Sequence, residues 1–172
     1  MLNSTLLEFI LRGIPEGFLF IFAGYTFSKT KVDVRKYLLA GALLSVIGYA
    51  IRLLPINFGI HSVLVLITCI ILLNAVSKIP LIKAISSTLV MMIIGFAAEI
   101  VNGVLVALLR GFQFSEILKD PELINIEFAN PTQKVLYGLP SMALMWLIVL
   151  IFYFVYKKRD KLINASDRET IE

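Results

Sequence analysis

The stretch LLEFILRGIPEGFLFIFAGYTF, Leu6 to Phe27, decides the fold class of this chain. At about 1.5 Å per residue, a helix of this length crosses roughly 30 Å of hydrocarbon. Its three charged side chains, Glu8, Arg12 and Glu16, recur every four residues. Residues at this spacing share one helix face, so acid, base and acid are predicted to stack there. Charged groups at bilayer depth face a protein interior, a water-filled cavity or one another.

Composition places the whole chain in a membrane. Of its 172 residues, 59% are hydrophobic and only 16% are charged, and the mean hydropathy is +0.89. These values lie outside the usual range of soluble globular domains. The excess of four positive charges falls in short clusters at the ends of apolar runs, where basic residues orient membrane proteins. The lipid bilayer is therefore an expected partner, and no nucleic-acid site is predicted.

Five apolar segments are long enough to cross the bilayer as helices. They are 6–27, 37–54, 60–76, 84–109 and 135–156. The predicted fold is therefore all-α, a polytopic bundle of five transmembrane helices. These helices form a single domain, 1–156, which a short charged cytoplasmic tail, 157–172, follows. Most connections are short and contain proline or glycine, which predicts antiparallel neighbours.

The connection between the fourth and fifth spans, residues 111–134, is too long to be a simple turn. Its mixture of apolar and acidic side chains predicts a short helix at the membrane surface. A lid over an outward opening and plain interfacial packing both fit this loop. Asn130, Pro131 and Gln133 then have the spacing of an N-cap, a first-turn proline and a capping-box glutamine. The fifth helix is expected to begin there.

The distribution of basic residues predicts the orientation. Ten Lys and Arg residues lie beside the first and third connections and after the last span, whereas four lie on the other side. The ten are Lys29, Lys31, Arg35, Lys36, Lys78, Lys83, Lys157, Lys158, Arg159 and Lys161, and the four are Arg52, Arg110, Lys119 and Lys134. Because basic residues concentrate on the cytoplasmic side, the N-terminus is predicted outside and the C-terminus inside.

This topology brings the polar residues of the apolar segments to the outer half of the bundle. The predicted site consists of Glu8, Arg12, Glu16, Arg52, His61, Glu99, Asn102 and Arg110. Small residues in spans one, two and four are typical of close helix contacts, and they overlap this charged face. Pro15 interrupts span one beside the charges and is expected to free a backbone carbonyl. An outward-facing polar pocket between spans one, two and four follows from this arrangement.

Two interpretations of the charged residues stay open. Three glutamates and three arginines can neutralise one another, which predicts an intramembrane ion-pair network that fixes helix register. Alternatively, the arginines at the outer mouth attract an anionic group such as a peptide carboxylate, while Glu16 or Glu99 binds a cation or proton more deeply. Arginine suits carboxylates because its planar fork donates two parallel hydrogen bonds.

Catalysis is not expected, and no cofactor is implied. His61 is the only histidine and Cys69 the only cysteine, which excludes a multi-histidine zinc site, a cysteine metal cluster and an intramolecular disulfide. The chain also lacks the HExxH and GxSxG patterns of common hydrolases. Cys69 lies among Ile and Leu and is interpreted as a buried structural thiol.

The layout resembles the multi-pass sensor region of bacterial quorum-sensing and LytS-like histidine kinases. The resemblance covers the spans, and Tyr156-Lys157-Lys158-Arg159 stand where a cytoplasmic signalling helix would begin. It implies a helical bundle with an extracellular-side pocket in a bacterial plasma membrane. This sequence carries no kinase domain, and the resemblance transfers no particular ligand contact.

Three functions remain. The first is a sensor or regulatory subunit that binds an external small molecule or peptide and signals to a membrane partner or a second copy. The second is a small-solute transporter component that captures substrate from outside. The third is a structural subunit of a membrane complex. The sensor is preferred, and a multi-pass location in the cell membrane is common to all three.

Overall fold

The computed structural model describes residues 8–54, 58–112 and 131–169. All regular structure in these residues is helical, which confirms the predicted all-α class. A π-helical segment, Phe9–Gly13, leads into α1, Ile14–Phe27. The remaining helices are α2 (Val34–Leu53), α3 (Phe58–Ala75), α4 (Leu81–Leu109) and α5 (Pro131–Glu169).

Three of these helices are long and apolar enough to cross a membrane. They are α2, α4 and the part of α5 from Leu136 to Arg159, and Ile60–Ala75 within α3 is a shorter apolar helix. Their outward faces carry many exposed Leu, Ile, Val and Phe side chains. An apolar outer surface of this extent is typical of a protein that lies in lipid.

Helix α1 lies at the centre of the bundle and contacts the other four helices. Its buried side chains divide between two clusters. Ile21 and Tyr25 pack with residues of α2 and α3, including Leu44 and Leu73. Leu19 and Ala23 pack with residues of α4 and α5, including Met91, Met145 and Val149. The central helix therefore has neighbours on all sides.

Gly17 allows α1 and α2 to approach closely. A Cβ atom at Gly17 would lie 3.1 Å from the Cα of Ser45, a contact that only movement of the backbone would relieve. The expectation that the small residues of spans one and two meet is confirmed here. Gly95 of α4 instead lies beside Met145 of α5, since its added Cβ would be 3.6 Å from the sulfur.

Several helix ends differ from the predicted boundaries. Helix α1 begins at Ile14 instead of 6, α2 at Val34 instead of 37, and α3 at Phe58 instead of 60. Helix α4 begins at Leu81, three residues before the predicted start, directly after Pro80. Helix α5 begins at Pro131, as the first-turn proline predicted, but it continues through most of the predicted tail to Glu169. Residues 157–169 contain neither proline nor glycine and are rich in good helix formers, so nothing local ends the helix at the membrane.

Pro15 lies where the helix type of the first span changes, and the expected free carbonyl stays a prediction. This proline lies in the first turn of α1, and the preceding residues form the π-helical turn, in which the N–H of Ile14 bonds the carbonyl of Phe9. Wide turns of this kind accommodate a proline without breaking the helix. A turn was predicted at 55–59, but Phe58 and Gly59 already belong to α3, and residues 55–57 lie outside the described residues. Residues 113–130 of the long connection, for which a surface helix was predicted, also lie outside them.

Candidate functional site: a charged cluster at one end of the bundle

The antiparallel packing brings the predicted charged residues to one end of the bundle. This end of the bundle holds the π-helical segment, the end of α2, the start of α3 and the end of α4. Five of these side chains are called the charged cluster below: Glu8, Arg12, Glu16, Arg52 and Glu99. They come from the π-helical segment and its flanks, from α2 and from α4.

Arg52 and Glu16 form the tighter ion pair of the cluster. Arg52 Nη2 lies 2.8 Å from Glu16 Oε2, and the two side chains are 32% and 21% exposed. Glu8, which is 7% exposed, and Glu99 also attract the Arg52 guanidinium. Arg52 therefore lies in a field of three carboxylates, and removing one partner would leave charge poorly compensated at a partly buried position.

Arg12 and Glu99 form the more open pair. Arg12 Nη2 lies 3.0 Å from Glu99 Oε1, and the Glu99 side chain is 48% exposed whereas that of Arg12 is 19% exposed. The other terminal nitrogen of Arg12 faces α5, because a Cβ built on Gly138 would lie 3.0 Å from Arg12 Nη1. A single guanidinium thus touches both α4 and α5.

The predicted stack of Glu8, Arg12 and Glu16 is divided between neighbouring helices. Arg12 pairs with α4, and Glu16 pairs with α2. The π-helical turn between them changes the angular spacing that a regular α-helix would give. The sequence placed these residues in one region, but it did not indicate which helix each would contact.

Asn102 binds the backbone of α5 one turn beyond Glu99. Its Nδ2 donates to the carbonyl of Tyr137 at 2.7 Å. Its Oδ1 is buried and accepts no hydrogen bond from the residues that the structure describes. A buried acceptor without a donor costs about 1–3 kcal/mol, so this oxygen is an unfavourable feature of the contact between α4 and α5.

His61 and Arg110 occupy different positions from the ion pairs. His61 is buried, and its Nε2 lies 3.2 Å from the carbonyl of Leu54, where it ties α3 to the end of α2. Arg110 directly follows α4, and its side chain is exposed. It is eleven residues beyond Glu99, about 16 Å along a helix axis at 1.5 Å per residue. Arg110 thus lies at the end of α4, well separated along the helix axis from the Arg12–Glu99 pair.

A small cavity adjoins the Glu16–Arg52 pair. It lies between the π-helical segment, α1, α2 and α3, and Glu16, Arg52, Phe9 and Tyr49 contribute to its wall. Its volume is about 30 Å³, enough for a water or two and far below the roughly 300 Å³ of a typical ligand pocket. The expected pocket between spans one, two and four therefore differs in place and size from this cavity.

Gly138 and the carbonyl of Tyr137 were missed in the sequence. Both lie just before Pro140, which is inside α5 and has no N–H to donate to the preceding turn. A proline in a long apolar helix indicates free carbonyls near the residues four positions earlier. This signal, together with the adjacent glycine, would have pointed to 136–138 as a polar contact region of the fifth helix.

The arrangement offers recognition groups rather than a reaction centre. Arg12 can donate to an anion. Among residues 8–54, 58–112 and 131–169, no three His, Cys, Asp or Glu side chains are grouped as metal ligands would be. No protein-family model, curated protein or solved structure matches this chain, so geometry alone supports the interpretation of the site.

Proposed function

We propose that this chain is a multi-pass sensor or regulatory protein of a bacterial cell membrane. It crosses the bilayer five times, with the N-terminus outside and the C-terminus in the cytoplasm. The charged cluster then lies beneath the outer surface, where an extracellular small molecule or peptide reaches it. The binding of this ligand is passed to a partner protein on the inner side.

The observation that carries this proposal is the contact of Arg12 with two helices. Its guanidinium pairs with Glu99 of α4 and lies against Gly138 of α5. A carboxylate that competes with the half-exposed Glu99 for Arg12 would break the ion pair to α4. It would also change the contact of Arg12 with Gly138 of α5. Arginine binds a carboxylate through two parallel hydrogen bonds, so this exchange conserves the bonding of the guanidinium.

Helix α5 supplies a route from this site to the cytoplasm. It runs unbroken for 39 residues, from Pro131 to Glu169, which is about 58 Å at 1.5 Å per residue. This length exceeds the roughly 30 Å of the hydrocarbon core, so the helix continues into the aqueous phase. A shift in the position of Gly138 therefore moves part of the same helix whose other end would contact a partner inside.

The ligand class follows from the polar groups. Arg12 selects a carboxylate, because its guanidinium can donate two parallel hydrogen bonds. A peptide C-terminus carries such a group. The water-sized cavity beside Glu16 and Arg52 is too small for this group, so the ligand binds at the Arg12–Glu99 pair.

The test uses short apolar peptides with a free C-terminal carboxylate, each beside its C-terminally amidated twin. Thermal unfolding of the purified full chain in detergent micelles is the readout, because a ligand that binds the folded state raises Tm. Free-acid peptides should raise Tm of the wild type, whereas their amides should not. Arg12→Gln should lose this shift, and Arg35→Gln at the opposite end of the bundle should keep it.

The mutual pairing of the cluster favours a second candidate, a structural subunit of a membrane complex. In that case the ion pairs only hold helices in register. No free-acid peptide would then shift Tm in a manner that depends on Arg12, and Glu99→Gln would lower Tm and the yield of assembled complex alike.

A further inference from the structure

An apolar groove opens on the bundle surface at the end opposite the charged cluster. It lies between α1, α4 and α5 and is lined by Phe27, Val90, Ile93, Ile94, Phe152 and Tyr156. Its volume is about 320 Å³, in the range of pockets that hold organic ligands. Ile93 is 68% exposed and Phe152 is 40% exposed. In a bilayer this groove faces the acyl chains of one leaflet.

Basic residues surround the end of the groove that lies toward the membrane surface. Lys29 Nζ lies 5.2 Å from the centroid of the Tyr156 ring, one wall of the groove. Arg159 follows Tyr156 by three residues on α5, and Lys83 precedes Val90 by seven residues on α4. These spacings place each of them on the groove face of its helix. All three side chains are exposed.

The backbone at Lys29 has a conformation that is uncommon for lysine. Lys29 has a φ of +54° and occupies the left-handed position that follows α1, with the N–H of Thr30 bonded to the carbonyl of Tyr25. Glycine usually fills this position because it has no Cβ to crowd the backbone. This turn holds Lys29 at the end of α1, where its Nζ lies over the Tyr156 ring.

We propose that this groove binds one anionic phospholipid, with an acyl chain against Ile93 and Phe152 and the phosphate near Lys29, Lys83 and Arg159. The apolar wall matches the chain, and the basic rim matches the charged headgroup at the depth where the helices leave the membrane. The inference rests on the membrane placement proposed above but not on sensing. Its site lies at the other end of the bundle from Arg12.

The experiment measures lipid retained by the purified full chain in native mass spectrometry. The probes are dioleoyl phosphatidylglycerol and dioleoyl phosphatidylcholine, which share acyl chains and differ in net charge. The wild type should retain one phosphatidylglycerol in preference to phosphatidylcholine. Each basic residue removed should weaken this preference about fivefold. Equal retention of the two lipids would overturn the proposal.

Two glycine variants separate binding from stability. Lys29→Gly removes the cation and also relieves the left-handed strain, so it should raise Tm while it lowers phosphatidylglycerol retention. Lys78, with a φ of +58° on the turn between α3 and α4, is the matched control. Lys78→Gly should raise Tm similarly and keep the lipid. Equal loss of lipid in both variants would indicate a diffuse basic surface and contradict the assigned site.

A third variant tests the groove itself. Ile93→Trp fills the exposed apolar wall without removing charge, and it should displace phosphatidylglycerol with Tm unchanged. Retention of the lipid in this variant would contradict binding in the groove. Glycerol 1-phosphate, the soluble part of the headgroup, should not compete at the same concentration. If it competes as well as the whole lipid, the site binds a free phosphate and the lipid assignment is wrong.

Discussion

Arg12 on the first helical segment and Gly138 on the last helix lie so close that a Cβ at position 138 would require the Arg12 guanidinium to move. A Cβ at Gly138 would lie 3.0 Å from Arg12 Nη1, while Arg12 Nη2 remains 3.0 Å from Glu99 Oε1. The glycine therefore sets the distance at which α5 approaches the ion pair.

Gly138→Ala should displace the Arg12 side chain and weaken its pair with Glu99. Alanine gains helix propensity at either position, so we expect the free energy of unfolding to be about 1 kcal/mol lower than that of the Gly48→Ala variant. Thermal and denaturant unfolding in detergent measure it. In an Arg12→Gln background the alanine should have little cost. Gly48→Ala is the matched control, because its added Cβ would meet Val65 Cγ2 only at 4.0 Å. An equal cost in both backgrounds would refute the contact.

Glu16 and Arg52 should be energetically coupled. Each side chain compensates the charge of the other at a partly buried position. Each single change to Gln should therefore lower the free energy of unfolding by more than half of the amount that the double change does. A double-mutant cycle should give a coupling of about 1–3 kcal/mol. The exposed pair of Asp33 and Lys36, 3.4 Å apart, is the control and should show much weaker coupling. Additive effects at Glu16 and Arg52 would contradict a strong pair.

Gly17→Ala should separate α1 from α2. The added methyl would press on the Ser45 backbone, so overpacking is expected to cost about 1–3 kcal/mol. Gly95→Ala, with an ordinary 3.6 Å contact to Met145, should be tolerated. The ratio of folded monomer to aggregate on size-exclusion chromatography, together with Tm, distinguishes the two variants. Similar behaviour of both would mean that α1 and α2 do not depend on this close approach.

The orientation can be tested by cysteine labelling in intact cells. Cys69 is buried and is the only cysteine, so Cys69→Ser gives a background without thiols. A membrane-impermeant maleimide should label Arg110→Cys from outside, whereas Lys31→Cys should react only after the cells are permeabilised. The reverse pattern would place the charged cluster at the cytoplasmic face.

The sequence was sufficient for the helical class, for five helices near the predicted segments and for the grouping of polar residues at one end. These features follow from hydrophobic length, from proline and glycine at the breaks and from antiparallel connections. Pro131 as the start of α5 is a specific example. Local composition determines each of these features, so a single sequence contains them.

The partners of individual side chains could not be predicted. The π-helical turn before Pro15 changes the direction of Arg12 relative to Glu16, and a four-residue spacing does not reveal such a turn. The contact of Gly138 with Arg12 joins residues 126 positions apart, so it depends on tertiary packing. The end of α5 was placed at the end of the apolar run, although helix propensity continues beyond it.

The distance between Lys31 and Arg159, which lie at the end of the bundle opposite the charged cluster, tests the central claim most directly. Spin labels at these positions, in the Cys69→Ser background and in lipid nanodiscs, report by pulsed electron paramagnetic resonance whether α5 moves. Glu99→Gln weakens the pair that holds Arg12, and it should shift or broaden this distance. Glu16→Gln, which removes the pair directed toward α2, should leave it unchanged. An unchanged distance in Glu99→Gln, with only a lower Tm, would contradict transmission through α5.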